Sequence, residues 1–242
     1  MREKYSLILA AGKGKRMKSD IPKSLTKLKG KTLIERTINN LEEANITKRV
    51  AVLGYKAEEV EKAIKGKCDI CFQQELLGTA NAVLSSCDYF ANKKCDIVIV
   101  AADMPFVSGG SLKKAVDTFE KEKLDLLVLT AITDENYGYG RIIRNENGEI
   151  IKIVEEKDCT DEEKKIKEVN SSIYIVKSEE VFKNLKKIKN NNAQNEFYLT
   201  DLVSIYRDNQ KKVSTFLLGD KKEILGINDF EDLKKAEQMF YL

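Results

Sequence analysis

The chain has 242 residues, 33% charged and 42% hydrophobic, and its 42 basic and 39 acidic side chains leave a net charge of only +3. That length buries a full core, the near balance of charge argues against a general nucleic-acid-binding surface, and no apolar run is long enough for a membrane span or signal peptide. Histidine is absent, which excludes imidazole-based triads, bases and metal sites, and five irregularly spaced cysteines suit a reducing, cytoplasmic compartment better than a disulfide framework.

Tyr5 to Leu9 (YSLIL) is a short apolar run that predicts a buried first strand, and Ala10-Ala11-Gly12 ends it with residues small enough for close backbone approach. The loop that follows carries Lys13, Lys15, Arg16, Lys18, Lys23 and Lys27 against one acid, Asp20. Such a concentration of like charge is stable when an anion balances it or water solvates it. Thr32 to Ala44 repeats apolar residues at Leu33, Ile34, Ile38 and Leu41, the spacing of an amphipathic helix. Arg49 to Leu53 then reads as a strand, Ala57 to Ile64 as a helix, Asp69 to Gln73 as a strand and Thr79 to Ser86 as a helix. Asp96 to Ala101 (DIVIVA) predicts a strongly buried strand, Ser108 to Glu122 a helix and Asp125 to Ala131 a strand. Strand and helix alternate in the way that builds a Rossmann-like, doubly wound, mostly parallel α/β sheet through four right-handed crossovers.

After about residue 133 the rhythm changes to short strands at Arg141 to Arg144, Ile150 to Val154 and Val169 to Val176, with turns between them. Glu179 to Ile188 and Glu196 to Arg207 read as helices, Ser214 to Leu218 as extended chain and Asp229 to Tyr241 as a final amphipathic helix. The expected organisation is one unit of 1–242, divided at about 132/133 into a doubly wound part and a smaller mixed α+β lobe.

In a doubly wound sheet ligands collect beyond the carboxyl ends of the strands. The first such segment is not a P-loop, because Gly12 and Gly14 do not supply GxxxxGK, and it is not a dinucleotide fingerprint, because Met17 stands where the third glycine belongs. What remains is GxGxR followed by Pro22-Lys23, a triphosphate loop or a solvated basic loop. Asp103 ends the most apolar strand just before Pro105, where a carboxylate could hold Mg²⁺ together with substrate phosphates or simply end a turn. Gly78-Thr79 is either an ordinary helix start or a close approach to a base or ribose. Cys68 and Cys71 form a CxxC on an apparent strand, where positions three apart face opposite sides, and no second CxxC completes a zinc site.

An ordered set of segments resembles a known family. These are LAAGKGKRM at Leu9 to Met17, Pro22-Lys23, LGTANA at Leu77 to Ala82, ADMP at Ala102 to Pro105 and GYGRI at Gly138 to Ile142. IVEEKD at Ile153 to Asp158, EVNSSIY at Glu168 to Tyr174, NNNAQNEFYLTDL at Asn190 to Leu202 and GIND at Gly226 to Asp229 continue it. Over nearly its whole length the chain is similar to the uridylyltransferase domain of the bacterial bifunctional N-acetylglucosamine-1-phosphate uridylyltransferase/glucosamine-1-phosphate acetyltransferases. The resemblance implies Mg²⁺-dependent formation of UDP-N-acetylglucosamine and pyrophosphate from UTP and N-acetylglucosamine-1-phosphate. It makes the first part, to about 132, nucleotide-binding and the second lobe sugar-binding. Leu9, Ala10, Ala11 and Gly12 would hold uracil and ribose, with Gln73, Gly78 and Thr79 completing the base pocket. Arg16 and Lys23 would contact phosphates, Asp103 and Asn228 would coordinate Mg²⁺, and Gly140, Glu155 and Asn170 would bind the amino sugar.

Some positions depart from the family pattern. Ala101 and Ala102 stand where Tyr-Gly is usual, Asn81 where histidine is usual, and Ser172 where EVNTG has glycine. These changes leave open another sugar-1-phosphate, or CTP with a polyol phosphate, and a catalytically silent nucleotide-sugar sensor is a further alternative. The chain ends at Leu242 with no hexapeptide repeat, so neither acetyl transfer nor the β-helix trimer is expected of it; a monomer or dimer is. The expected partners are the small-molecule substrates, with neither nucleic acid nor membrane.

Overall fold

Parallel strands covered on both faces must be apolar along their whole length. That pattern sets the centre of this protein, where β6 (Cys95–Ala101) is buried at every position but the last. In the computed structural model, which describes residues 2–239, β6 lies parallel to β1 (Glu3–Ala10), and β1 is parallel to β4 (Lys48–Leu53) on its other side. Two short strands, β2 (Lys27–Leu28) and β3 (Lys31–Thr32), form a separate hairpin; β5 (Asp69–Phe72) extends the sheet beyond β4. Further along come β7 (Leu126–Ile132), β8 (Arg141–Arg144), β9 (Ile150–Val154), β10 (Glu168–Lys177) and β11 (Val213–Leu217). The strand order is β11-β7-β10-β6-β1-β4-β5, with the β8–β9 hairpin attached through β10.

The fold is the expected mostly parallel α/β architecture with one internal departure. β10 runs antiparallel between β6 and β7, so these two strands, consecutive in sequence, are not neighbours. Ile173, Tyr174, Ile175 and Val176 are all buried, and a segment apolar on both faces belongs in mid-sheet rather than in a peripheral lobe. Residues after 133 thus supply a central strand.

Successive side chains on each strand enter different cores. Ile8, Val98 and Val100 pack with α1 (Leu33–Glu43), α2 (Ala57–Ala63) and α5 (Gly109–Lys121). Leu7, Ile97 and Ile99 pack with α3 (Thr79–Leu84), α4 (Cys87–Phe90), α6 (Ser178–Leu185) and α7 (Leu202–Asp208). Cys68 packs against the first core and Cys71 against the second, which keeps the two thiols of the CxxC on different faces. α1 begins at a capping box: Thr32 Oγ1 accepts from the Glu35 N–H while Glu35 accepts from the Thr32 N–H.

Several expected helices have different bounds. The helix expected over Thr79 to Ser86 stops at Leu84, where the Ser85 and Ser86 hydroxyls donate to the carbonyls of Asn81 and Val83, and α4 follows. α6 spans Ser178–Leu185 rather than Glu179 to Ile188. The helix expected from Glu196 begins only at Leu202, after a 3₁₀ turn over Leu199–Asp201. Phe197 is held there by the 77–80 segment: its N–H donates to Leu77 O at 2.8 Å and its carbonyl accepts from Ala80 N–H at 2.9 Å. α8 spans Phe230–Met239, and the part of the expected final helix at Tyr241 lies outside the described residues. No described helix is long and apolar enough to cross a membrane.

Candidate active site

The carboxyl ends of β1, β5 and β6 open onto one cleft of about 520 Å³. Leu9, Ala10, Ala11 and Gly12 line it from β1, and Gln73, Gly78 and Thr79 from the connection into α3. Arg16, Lys23, Asp103 and Asn228 line the same cleft. Two local devices shape its floor. Gly14 has φ +62°, and a Cβ there would sit 2.6 Å from Lys23 Cβ, so the loop folds directly onto the lysine stem. Tyr55 N–H donates to Ala11 O at 3.0 Å, and Lys13 Nζ stands 5.2 Å from the Tyr55 ring centroid.

At the end of β6, the Lys23 ammonium donates to the Asp103 carboxylate and, at 2.9 Å, to Asn228 Oδ1. Arg16 donates to the same Asn228 oxygen at 3.0 Å. Asn228 is held from two sides: its N–H donates to Asp232 Oδ2 on α8 at 2.9 Å, and the neighbouring Ile227 N–H donates to Asp103 O at 3.0 Å. One carboxylate and one carboxamide oxygen therefore converge on a single cation. That donor set also suits a hard divalent metal completed by phosphate and water oxygens. Among the described residues no group of three or more His, Cys, Asp or Glu side chains forms an all-protein metal cage.

Gly140, Glu155 and Asn170 are grouped with one another, outside the lining of this cleft. Gly140 O accepts from Asn170 N–H at 2.9 Å. A Cβ on Gly140 would lie 2.9 Å from Ile153 Cγ2 and 3.6 Å from Glu155 Oε2, so a side chain there would have to push Ile153 aside. Asn170 is buried, donating to Tyr174 Oη at 2.8 Å and accepting from the Ser172 N–H at 3.0 Å. The second bond supports Ser172 at φ +62°, a left-handed conformation that costs a residue with a Cβ roughly 1 kcal/mol. Glu155 faces a second cleft of about 320 Å³ with Asp158, Tyr198 and Asp201, and Thr200 Oγ1 donates to its Oε1 at 3.0 Å.

Burial pushes the Glu155 carboxyl above its usual 4.5, and Asp158, Asp201 and Glu196 push it further, against the Thr200 hydrogen bond. The folded protein holds that proton more tightly than the unfolded chain, so the stability this group contributes is present below its ordinary value and is lost as pH rises through the raised one. Glu155→Gln keeps an acceptor for Thr200. Its melting temperature relative to wild type is expected to rise from pH 4.5 to pH 8 in thermal melts, and a difference that shrinks over that range contradicts the assignment.

Several residues of these clefts have no marked signal in the sequence. Ser24, Leu76 and Glu196 also line the first cleft. Ser24 adjoins Lys23 in sequence, but nothing local marks Glu196. Arg141 is 1% exposed, pairs with Glu156 Oε2 at 2.6 Å and donates to Tyr139 O, tying down the turn before β8. A strand arginine ordinarily reads as solvated.

The MobA-like NTP transferase domain matches residues 6–154. The chain is 43% identical over 235 residues to the bifunctional protein GlmU of Streptococcus thermophilus (strain CNRZ 1066), covering 97% of this chain and 51% of that protein. With GlmU of Streptococcus uberis (strain ATCC BAA-854 / 0140J) the identity is 42% over the same shares. The chain thus spans about half the length of the curated relatives it matches. Among solved structures, UDP-glucose pyrophosphorylase complexed with UDP-glucose superposes with a TM-score of 0.78 at 22% identity, covering 98% of each chain. Apo UDP-glucose pyrophosphorylase gives a TM-score of 0.77 at 20% identity, again over 98% of each. These structures share the fold.

Proposed function

Because the chain belongs to the MobA-like NTP transferase domain family, we propose that it transfers UMP from UTP to N-acetylglucosamine-1-phosphate, giving UDP-N-acetylglucosamine and pyrophosphate. Its similarity to the GlmU proteins supports the choice of substrates. The observation that carries the reading is the meeting of Lys23, Asp103 and Asn228, three residues far apart in sequence, in the lining of a cleft that the glycine loop also borders.

The absence of histidine is no obstacle to this chemistry. The nucleophile is a phosphate oxygen of the sugar-1-phosphate, already largely ionised at neutral pH because a phosphate monoester's second pKa is about 6. It forms a bond to the α-phosphorus of UTP as the bond to the bridging oxygen breaks, and pyrophosphate departs with that electron pair. No proton needs to move. The protein's task is to hold two anions in line and stabilise charge on the leaving group. Arg16 and Lys23 are the cations for this. Leu9 to Gly12 form the wall for base and ribose together with Gln73, Gly78 and Thr79. Gly140, Glu155 and Asn170 form the amino-sugar group, which requires the sugar to reach from the nucleotide cleft toward the second lobe.

Asp103 and Asn228 are the residues that would hold Mg²⁺, whose charge would offset repulsion between the two substrates. Nucleoside triphosphates and five reduced cysteines are at home in the cytoplasm, where we place the protein.

One second reading has an observation behind it. Ala102 beside the metal carboxylate and Ser172 beside the sugar group differ from the family pattern, which favours a related sugar-1-phosphate as the alternative acceptor. A panel of UTP, CTP, dTTP and ATP against several sugar-1-phosphates, read by pyrophosphate release, decides between them. The expected result is turnover highest with UTP and N-acetylglucosamine-1-phosphate; a higher kcat/KM for another pair replaces the substrate assignment.

A further inference from the structure

Gln73 follows β5, where its N–H donates to Leu53 O at 2.7 Å, and the residue, 6% exposed, borders the cleft. Its Nε2 donates twice, to Asn81 Oδ1 at 2.7 Å and to Gly78 O at 3.3 Å. Both amide protons are then taken by protein acceptors, which leaves the carbonyl oxygen as the group of the Gln73 amide free to meet a ligand. This orientation is enforced. Gly78 offers a carbonyl, which only accepts, so turning the Gln73 amide by half a rotation would set two oxygens against each other. Gly78 cannot move aside, because a Cβ there would already lie 2.7 Å from Phe197 O, so the backbone is in close contact.

Asn81 sits in the first turn of α3, does not line the cleft, and supplies the shorter of the two hydrogen bonds. We propose that Asn81 is a positioning residue that makes the site selective for uracil over cytosine by fixing which end of the Gln73 amide faces the base. The proposal rests on the nucleotidyl-transfer reading above and on Gln73 meeting the base. Uracil carries a proton on N3 and donates to the Gln73 carbonyl. Cytosine carries a lone pair there and leaves two acceptors facing each other in a buried contact, the kind of mismatch that discriminates strongly. Thymine shares the N3 proton, so this device does not separate uracil from thymine.

The test measures kcat/KM for UTP and CTP, and the affinities of UDP and CDP by titration calorimetry, in wild type, Asn81→Ala and Asn81→Asp. Wild type is expected to prefer the uracil nucleotide by roughly a hundredfold or more. Asn81→Ala removes one of the two acceptors that orient Gln73, and the UTP:CTP and UDP:CDP ratios are expected to fall about tenfold or more. Asn81→Asp still accepts from Gln73 Nε2 and is expected to keep most of the preference. A merely structural role would weaken both nucleotides together and leave the ratio unchanged, which would overturn the proposal, as would a wild type that takes CTP as readily as UTP. Absence of turnover with every triphosphate, alongside a UDP:CDP ratio that depends on Asn81, would sink nucleotidyl transfer while sustaining the role of Asn81.

Discussion

Asp103→Ala is expected to reduce kcat for pyrophosphate release by on the order of 10³-fold, with the protein still folded. Asp103 stands in the turn just after the central strand β6, where its carboxylate accepts from the Lys23 ammonium. Removing it takes away a charged ligand of the proposed Mg²⁺ site and leaves the Lys23 ammonium with Asn228 alone. The cost to stability is small, because the Asp103 and Lys23 side chains are 22% and 16% exposed, and a partly solvated ion pair contributes about 1 kcal/mol or less. Asn228→Ala removes a neutral ligand and should have a smaller effect on kcat, with a higher metal concentration needed for half-maximal rate. Steady-state kinetics against metal concentration, with circular dichroism as the folding control, checks both. Near-normal turnover in both variants removes Asp103 and Asn228 as the metal site.

Gly78→Ala is expected to lose both stability and activity. Gly78 has φ +115°, where a side chain is strained, and the new methyl would lie 2.7 Å from Phe197 O and 2.8 Å from Phe197 N. Those atoms cannot retreat cheaply, since the Phe197 N–H and carbonyl are both hydrogen-bonded to the 77–80 segment. The expected loss is about 2–3 kcal/mol in urea unfolding. Displacing Gly78 also shifts Gln73 and Thr79, and a misplacement of about 1 Å costs on the order of 10²-fold in kcat/KM for UTP. Gly12 provides the control. A Cβ there meets no atom within 4 Å, so Gly12→Ala should fold normally, and any loss of UTP turnover in it reports contact with the nucleotide itself. Wild-type stability in Gly78→Ala contradicts the packing account.

Local pattern carried much of this fold. The continuous apolar runs of β1 and β6, the helical spacing of α1 and the Thr32/Glu35 capping box each express their structure within a few residues. The insertion of β10 between β6 and β7 is a pairing across distant segments, and no local periodicity reports which strands meet. Glu196 to Tyr198 carry a helical pattern, but backbone hydrogen bonds to residues 77–80 hold Phe197 out of a helix. Similar logic holds at the site. Lys23 and Arg16 stand out as candidates in the sequence because the cations cluster along one loop, and Asp103 because a carboxylate follows closely on an apolar strand. Asn228 was identified only through resemblance, since its position depends on α8 and on a hydrogen bond from its neighbour to the Asp103 carbonyl. Arg141 went unseen because its partner Glu156 lies across the β8–β9 hairpin, where sequence gives no sign that the pair is buried.

The proposed nucleotidyl transfer takes place at the cleft lined by Gly12, Lys23 and Asp103. Phosphorus NMR of the wild-type protein with UTP, N-acetylglucosamine-1-phosphate and Mg²⁺ tests it most directly. UDP-N-acetylglucosamine and pyrophosphate are expected in equal amounts, with neither formed when the sugar phosphate or the metal is left out. Unchanged substrate spectra, or release of inorganic phosphate without a sugar nucleotide, would contradict it.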